Sequence, residues 1–207
     1  MRPHSIWLWP LATRQSVPVS RGIVPRAGLT TAAVVDTALA VIDEQGLEGL
    51  TLAEVAARAG VAPPSLYKHV SGLAELRTQA SIRVMAEMTD QLARAVMGRS
   101  GDDAVAALMR TFREYVRRHP HRYAAMPPDP LRDPAMRPTA TKLLEVFLSV
   151  LRAYRLDESA AVHAARCLRA IVHGFTSIEA AGGFGLPEDL DETFERLIAM
   201  YIASLPH

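Results

Sequence analysis

The stretch Thr51–His69 places a glycine, two prolines and a group of polar side chains at short spacing. Thr51–Ala59 has the apolar period of a short helix, and Gly60 permits the left-handed turn that would end it. Pro63 and Pro64 suit the first turn of a second helix. Four polar side chains follow them: Ser65, Tyr67, Lys68 and His69. Two short helices joined by a tight turn are typical of a helix-turn-helix, which lays its second helix in the major groove of DNA.

The packing residues of this stretch fit the same motif. Two helices that cross closely need a small residue at the crossing, a glycine at the turn and an aliphatic residue in the second helix. Ala56, Gly60 and Leu66 have these types. The alternative is a helical hairpin that only packs within a core. The small, almost uncharged opening at residues 62–65 and the polar tips beside a short apolar face favour DNA contact.

The elements around this stretch are predicted to be all α-helical. Alanine and leucine are abundant, and runs of β-branched residues bounded by turns are missing. Helix one is expected from Thr30 or Thr31 to Gly46, and helix two begins with a Thr51/Glu54 capping box. Further helices are expected over 73–97, 102–118, 140–154, 157–181 and 187–205, with a loop or a broken short helix over 126–138.

Composition favours a globular protein of a reducing compartment. The chain has 207 residues, a formal net charge of +1 and one cysteine, Cys167. The net charge therefore does not indicate a polyanion partner, and a single cysteine excludes an internal disulfide. Residues 6–12 are apolar, but the run is short and is broken by Pro10. No later segment has the uncharged length of a membrane helix, so we expect a cytoplasmic protein without a membrane partner.

Residues that act in catalysis or metal binding elsewhere lack the necessary spacing here. Four histidines match no standard metal site: His119, His121, His163 and His173. Cys167 and Ser177 have no adjacent base. We therefore predict no catalytic residue, no metal and no cofactor. A helical adaptor that binds only protein is a further alternative, which would leave Tyr67 and Lys68 without a role.

The same residues resemble the DNA-binding domain of the tetracycline-repressor (TetR/AcrR) family. The resemblance covers residues 30–76 and rests on Thr51-Leu, Val55-Ala, Ala59-Gly-Val and Pro64-Ser-Leu-Tyr-Lys-His-Val. Residues 169–175 (RAIVHGF) with 177–184 resemble a C-terminal subclass named for a Trp-His-Gly motif, with Val172 in place of the tryptophan. The resemblance implies a ligand-responsive transcriptional regulator, in most cases a homodimeric repressor released from a pseudo-palindromic operator by a small effector.

The resemblance also implies three parts of the chain. Residues 1–27 are expected to be a flexible N-terminal arm. We expect translation to begin at Val24, so that residues 1–23 would be an incorrectly assigned start of the sequence. Residues 28–76 are expected to form the helix-turn-helix domain, and residues 77–207 the helical domain that binds effector and dimerises.

DNA contacts are implied residue by residue. Thr51, Ser65, Tyr67 and His69 are expected to hold phosphates through hydroxyls, a ring N–H and backbone amides at the helix start. Three small residues, Ala62, Pro63 and Pro64, are expected to face base edges and to offer apolar contact, for example to a thymine methyl. Lys68 contacts either a base or a phosphate. A helix-capping role is the alternative for His69.

The DNA-binding region has few cations. Residues 24–72 contain three basic residues, Arg26, Arg58 and Lys68, against five acidic ones, Asp36, Asp43, Glu44, Glu48 and Glu54. Non-specific affinity grows with the number of phosphates neutralised, so weak sequence-independent binding and a shallow salt dependence are predicted. Arg26 is expected to compensate by reaching the minor groove.

The later helices are predicted to hold the effector and the dimer interface. Seven apolar or aromatic side chains could line a pocket, or could be plain core: Met85, Met88, Met109, Phe112, Tyr115, Phe147 and Phe175. The last two helices are predicted to dimerise through a small-residue face (Ala160, Ala161, Ala164, Ala165, Cys167, Leu168, Ile171, Val172) and a bulkier face (Phe194, Leu197, Ile198, Tyr201, Ile202). The alternative is that both helices stay within one protomer's core.

Overall fold

The computed structural model describes residues 29–206, and this range contains helices and no strand. The α-helices are α1 Thr31–Gln45, α2 Leu52–Ala59, α3 Leu73–Val96, α4 Gly101–Arg118, α5 Pro120–Ala124, α6 Arg137–Leu151, α7 Glu158–Ala180 and α8 Leu190–Ala203. Short 3-10 helices cover Pro63–Lys68 and Arg152–Tyr154. The predicted all-α fold class is confirmed. The expectations for the arm, Arg26 and a start at Val24 lie outside the described residues.

Local capping explains where α1 and α2 begin and end. The Thr30 hydroxyl accepts a hydrogen bond from Ala33 N (3.1 Å), and Gly46 at φ 70° ends α1. The Thr51 hydroxyl accepts from Glu54 N (3.1 Å), as the predicted capping box requires. The Glu54 carboxylate, however, binds Arg58 (2.7 Å). Only the threonine half of the capping box is therefore formed, because an arginine is a stronger partner for the carboxylate than a backbone amide.

The DNA-binding head, defined here as residues 29–72, closes around a small apolar core. Ala56 and Leu66 are fully buried, which confirms their predicted role at the crossing of the two short helices. The other buried side chains of this core are Val34, Val35, Ala38, Leu39, Val41, Ile42, Leu50, Val55 and Val70. Burial of this set fixes the Pro63–Lys68 segment against α2.

The body, defined here as residues 73–206, is organised around α4. This helix packs against α3, α6, α7 and α8, while α3 also packs against α1 of the head. The short helix α5 lies against both α4 and α1. The head is therefore held by two elements of the body, the long helix α3 and the single turn and a half of α5.

Prolines account for the main differences from the predicted helix boundaries. Pro120 was expected to follow the end of a helix, yet it opens α5, and Pro138 lies in the first turn of α6. A proline in the first turn loses no helical hydrogen bond, so it can begin a helix as well as prevent one.

α8 begins at Leu190 and not at 187, because the Asp189 carboxylate caps it by accepting from Asp191 N (2.7 Å).

A buried ion pair fastens α7 and α8 to α4. Arg113 donates from Nε and Nη2 to the two carboxylate oxygens of Glu179 (2.8 and 2.6 Å), and Nη2 also lies 2.8 Å from an oxygen of Asp191. Its guanidinium carbon lies 5.3 and 5.0 Å from the ring centroids of Phe175 and Phe194. A bidentate pair between two rings fixes orientation as well as distance. The opposite faces of α7 and α8 are consequently held toward solvent.

Candidate nucleic-acid interface

The Gly60 turn sets the direction of the segment that follows α2. Gly60 adopts φ 67° and ψ 30°, in the left-handed region. Its N–H donates to Ala57 O (3.2 Å), and the Val61 N–H donates to Ala56 O (3.0 Å). A Cβ at Gly60 would meet no atom within 4 Å. The glycine is therefore required for its backbone conformation and not for space.

The second helix of the motif is a 3-10 helix and not the α-helix that the sequence predicts. It covers Pro63–Lys68, with Ser65 N donating to Ala62 O (2.9 Å) and His69 N donating to Leu66 O (2.8 Å). Pro63 and Pro64 fit the start of a 3-10 helix as well as that of an α-helix, because the N–H groups that they lack would have no helical partner in the first turn. Because side chains three apart are eclipsed in this geometry, Pro64 is aligned with Tyr67, and Ser65 with Lys68.

Exposure separates the predicted contact residues into two groups. Tyr67 is 60% exposed, and the side chains of Thr51 and Lys68 also face solvent. The three small residues predicted to face base edges are exposed too: Ala62, Pro63 and Pro64. Ser65 and His69 are half-buried. The 3-10 helix thus presents an apolar, prolyl start and a polar end.

Few backbone amides are free at the start of this helix. Pro63 and Pro64 have no N–H, and the amide of Ser65 already donates to Ala62 O. The predicted backbone-amide contacts stay a prediction, and at Ser65 the amide has a partner within the helix. Hydroxyl, ammonium and imidazole groups are the side-chain donors that this segment offers to an anion.

His69 connects the end of the 3-10 helix to the start of α1. Its Nδ1 atom lies 3.4 Å from the Thr31 hydroxyl oxygen. The two residues are 38 positions apart in the sequence, so no local sequence pattern indicates this contact. The Thr51 hydroxyl accepts from Glu54 N and retains its own proton for donation. The side chains of Thr51 and His69 can therefore contact an anion without losing their structural partners.

Ion pairs within the head occupy Arg58. Its guanidinium lies 2.8 Å from Glu44 and 2.7 Å from Glu54, and the hydrogen bond from Arg58 lowers the pKa of the Glu54 carboxyl. Within residues 29–72, Lys68 is consequently the basic residue that has no ion-pair partner. Of the cations counted in the described head, Lys68 alone remains available to DNA.

Two arginines of the body offset acidic residues of the head. Arg83 of α3 lies 3.1 Å from Asp36, and Arg122 of α5 lies 2.6 Å from Asp43. A charge count limited to residues 24–72 missed both, because the arginines follow the head in sequence and return to it in space. The head is therefore less negatively charged than its composition indicates.

The seven predicted effector residues are all buried, and all of them except Met85 belong to one hydrophobic core. The Phe112 ring contacts Tyr123 (5.5 Å between centroids) and Phe147 (6.3 Å). Phe175 lies in a second aromatic group with Phe184 and Phe194, each at 4.9 Å. Both aromatic groups belong to the main core together with Met88, Met109 and Tyr115, while Met85 belongs to a small cluster with Met136 and Ala140.

Tyr123, whose hydroxyl could offer an effector a polar contact, lies beside this core. The Tyr123 hydroxyl lies 2.5 Å from His173 Nδ1, which joins α5 to α7, and burial raises the pKa of Tyr123 to about 12. Two cavities of about 250 and 330 Å³ are lined by other residues, the first between α1 and α3 and the second between the start of α4 and the end of α6. None of the seven predicted effector residues lines either cavity.

Half of the predicted dimer interface belongs to the protomer's own core. The buried residues of the two predicted faces are Ala165, Leu168, Val172, Phe194, Ile198 and Tyr201. The Tyr201 hydroxyl also donates to Ala164 O (2.9 Å), which ties α8 to α7. For these residues the core alternative is correct, because each helix turns its larger apolar stripe inward. The exposed apolar side chains of α7 and α8 are Val162, Cys167, Ala170, Ile178, Ala180, Ala199, Met200 and Ala203.

Among residues 29–206, no three His, Cys, Asp or Glu side chains are grouped so as to hold a metal ion. No helix in that range combines the length and the low charge needed to cross a bilayer.

Comparison with known proteins identifies the family. Residues 34–76 match the model of bacterial regulatory proteins of the tetR family, and residues 105–201 match the model of the tetracyclin repressor-like C-terminal domain. The chain is 31% identical over 191 residues to YobS of Bacillus subtilis, an uncharacterized HTH-type transcriptional regulator, covering 87% of this chain and 95% of that one. It is 32% identical over 158 residues to the HTH-type transcriptional repressor DrrR1 of Streptomyces coeruleorubidus, covering 76% of this chain and 54% of that one.

A solved structure shows the same fold. The transcriptional regulator SCO7222, a TetR from Streptomyces coelicolor, superposes with a TM-score of 0.70 at 21% identity, covering 85% of this chain and 97% of that one. The matched models span both the head and the body, and the relative from Bacillus subtilis is matched over nearly its whole length. The chain belongs to the TetR family of DNA-binding transcriptional regulators.

Proposed function

We propose that the chain is a homodimeric repressor that leaves a pseudo-palindromic operator when a small, largely apolar effector binds. The proposal divides the chain into an arm (1–27), a helix-turn-helix domain (28–76) and an effector-binding and dimerisation domain (77–207), acting in the cytoplasm. The observation that carries it is the exposed 3-10 helix, whose Tyr67 and Lys68 project while Leu66 anchors it in the head core. A relative named as a transcriptional repressor supports repression over activation.

In this proposal the DNA contacts divide between bases and phosphates. Ala62, Pro63 and Pro64 face base edges and give apolar contact, which selects by shape and by thymine methyl groups. The phosphate contacts come from Thr51, Ser65, Tyr67 and His69 through side-chain groups. Lys68 supplies the free cation of each described head, and Arg26 adds a minor-groove contact.

Dimerisation is proposed to use the exposed sides of α7 and α8. These sides carry small and apolar residues, including Ala170, Ala199 and Met200. The ion pairs of Arg113 with Glu179 and Asp191 hold both helices against α4. Two helices from each protomer make a four-helix bundle, and a two-fold dimer requires a two-fold operator. The spacing between the two recognition helices is then set by the whole body.

The effector is proposed to enter the core between α3, α4, α6 and α7. Methionines adapt to ligand shape, and Met85, Met88 and Met109 line this region together with Phe112, Tyr115, Phe147 and Phe175. These side chains are packed, so entry requires them to move apart. Effector and operator then compete through their different affinities for two dimer shapes, and each weakens the other by the same factor.

Selection of bound fragments from genomic DNA tests the function most broadly. We expect the wild-type protein to enrich fragments that share one pseudo-palindromic element, whose neighbouring genes indicate the effector. The Tyr67→Ala/Lys68→Ala variant should enrich nothing, since it loses both projecting side chains of the 3-10 helix. Enrichment of no shared element by the folded wild type would instead favour a protein-binding adaptor.

A further inference from the structure

One arginine of α5 contacts both the head and the long helix α3 of the body. Arg122 donates from Nε to Asp43 Oδ1 (2.8 Å) and from Nη2 to Asp43 Oδ2 (2.6 Å). Its remaining arm donates from Nη1 to Glu87 Oε2 (2.9 Å). One guanidinium therefore joins three elements, because Asp43 lies on α1, Glu87 on α3 and Arg122 on α5.

The setting of this arginine makes its contacts directional. The Arg122 side chain is 17% exposed, and its two carboxylate partners are about one-third exposed. A planar guanidinium that binds one carboxylate with two parallel hydrogen bonds fixes the angle between the groups, which a single point charge does not. The Arg122 contacts thus restrain the orientation of α1 as well as its distance from α5.

His121 adds a backbone contact to the same end of α1. Its Nδ1 atom lies 2.9 Å from the carbonyl oxygen of Asp43. Because a carbonyl oxygen can only accept, Nδ1 carries the proton and donates. Asp43 is therefore held through its side chain by Arg122 and through its main chain by His121.

The opposite end of α1 reaches the recognition segment. Thr31 at the start of α1 lies beside His69, which follows the 3-10 helix directly. Thr31 and Asp43 are separated by about 18 Å of helix at about 1.5 Å per residue. A tilt of α1 by about 10° about its Asp43 end would therefore displace Thr31 by about 3 Å. That displacement is close to the rise of one base pair, about 3.4 Å.

We propose that Arg122 is a positioning residue that sets the half-site spacing accepted by the dimer, by fixing the tilt of the head on the body through Asp43 and Glu87. This inference rests on the proposed dimeric operator binding. In this account, an arginine that lies outside the head determines the position of each recognition helix. Arg122 itself touches no DNA in this account.

The first test compares operators of altered spacing. The selected operator is prepared with its natural centre and with one base pair inserted or deleted, and affinities are measured for the wild type, Arg122→Met and Arg118→Met. Arg118 is the matched control, since it forms an exposed i,i+4 pair with Glu114 on α4. We expect the wild type and Arg118→Met to prefer natural spacing by about 10-fold or more, and Arg122→Met by less than about 3-fold. Arg122→Met retaining the wild-type preference would overturn the proposal.

Two additions keep the test decisive. If Arg122→Met does not fold, Glu87→Ala removes one of the three hydrogen bonds and should reduce the preference partially. The second measurement needs no DNA: spin labels at Ala57→Cys and Glu145→Cys in a Cys167→Ser background report the distance between head and body. Labelled protomers are diluted in unlabelled protein so that distances within one protomer are read.

The spin-label distances test the positioning role of Arg122 separately from the proposed operator binding. Arg122→Met should broaden the distance distribution relative to the wild type and to Arg118→Met. Unchanged width would overturn the positioning role whatever the DNA result. If the wild type binds no operator, the proposed function fails, and the width alone then decides whether Arg122 restrains the head.

Discussion

The residues proposed to face DNA in this head are few and mostly uncharged. Arg58 is held by Glu44 and Glu54, so within residues 29–72 Lys68 is the cation left for phosphate. Proline side chains at the start of the 3-10 helix offer contact area but no hydrogen bond. Discrimination between DNA sequences should therefore depend on fit and on dimer spacing more than on charge.

Replacement of Lys68 tests this view at the residue scale. Loss of one phosphate contact per protomer should reduce the slope of log affinity against log salt by about 1.8 for a dimer, at about 0.9 per phosphate. Lys142→Ala is the matched control, because Lys142 is exposed on α6 of the body. Operator titrations at several salt concentrations give both slopes.

The Lys68→Ala titrations also show whether Lys68 contacts a phosphate or a base. A uniform loss of affinity across DNA sequences indicates a phosphate, and relaxed preference at one base pair indicates a base. Lys68→Ala with the affinity, slope and preference of the wild type would show that Lys68 does not touch DNA.

At the scale of elements, the turn between α2 and the 3-10 helix depends on a backbone conformation that a side chain disfavours. Gly60 lies at φ 67°, in the left-handed region, and the two hydrogen bonds that close α2 depend on that conformation. No neighbouring atom restricts a side chain there. The strain of a substitution is consequently local and separable from packing.

Gly60→Ala should lower the free energy of unfolding by about 1–2 kcal/mol, since a Cβ in the left-handed region meets its own backbone. Gly72→Ala is the matched control, because Gly72 is extended at φ 168° and also has open space around it. It should change stability by less than about 0.5 kcal/mol. Urea denaturation measures both, and equal stability of the two variants would contradict the turn's requirement for glycine.

Local patterns predicted the elements better than their contacts. Thr30, Thr51 and Gly60 act where the sequence placed them, because capping and turn formation involve residues within one or two turns. The 3-10 geometry was missed because Pro63 and Pro64 fit the start of an α-helix equally well. The pairs Thr31–His69 and Asp43–Arg122 were missed because the partners are distant in sequence and meet only after α1, α3 and α5 have packed.

At the scale of the molecule, the proposed dimer depends on faces that one protomer leaves exposed. The larger apolar stripes of α7 and α8 are used in the protomer core, which leaves small residues together with Val162, Ile178 and Met200 for a partner. An interface between small residues allows close approach of helices. Modest changes of size or charge there should therefore have large effects on association.

Met200→Glu should shift the protein from dimer to monomer, because it places an unpaired charge in a desolvated helix interface. Met97→Glu is the control: Met97 is 76% exposed at the end of α3, and Met200 is 58% exposed on α8. Sedimentation velocity at several concentrations distinguishes the states. A dimeric Met200→Glu protein, or a wild type that is monomeric throughout, would contradict the proposed interface.

The most direct test of the central claim is the affinity of the protein for its selected operator and for the same fragment with both half-sites shuffled. We predict that the wild type prefers the operator by about 1,000-fold or more, as specific DNA-binding proteins do. Tyr67→Ala should reduce that preference strongly, while Lys142→Ala leaves it unchanged. Equal affinity of the wild type for the two fragments would contradict sequence-specific recognition by the 3-10 helix.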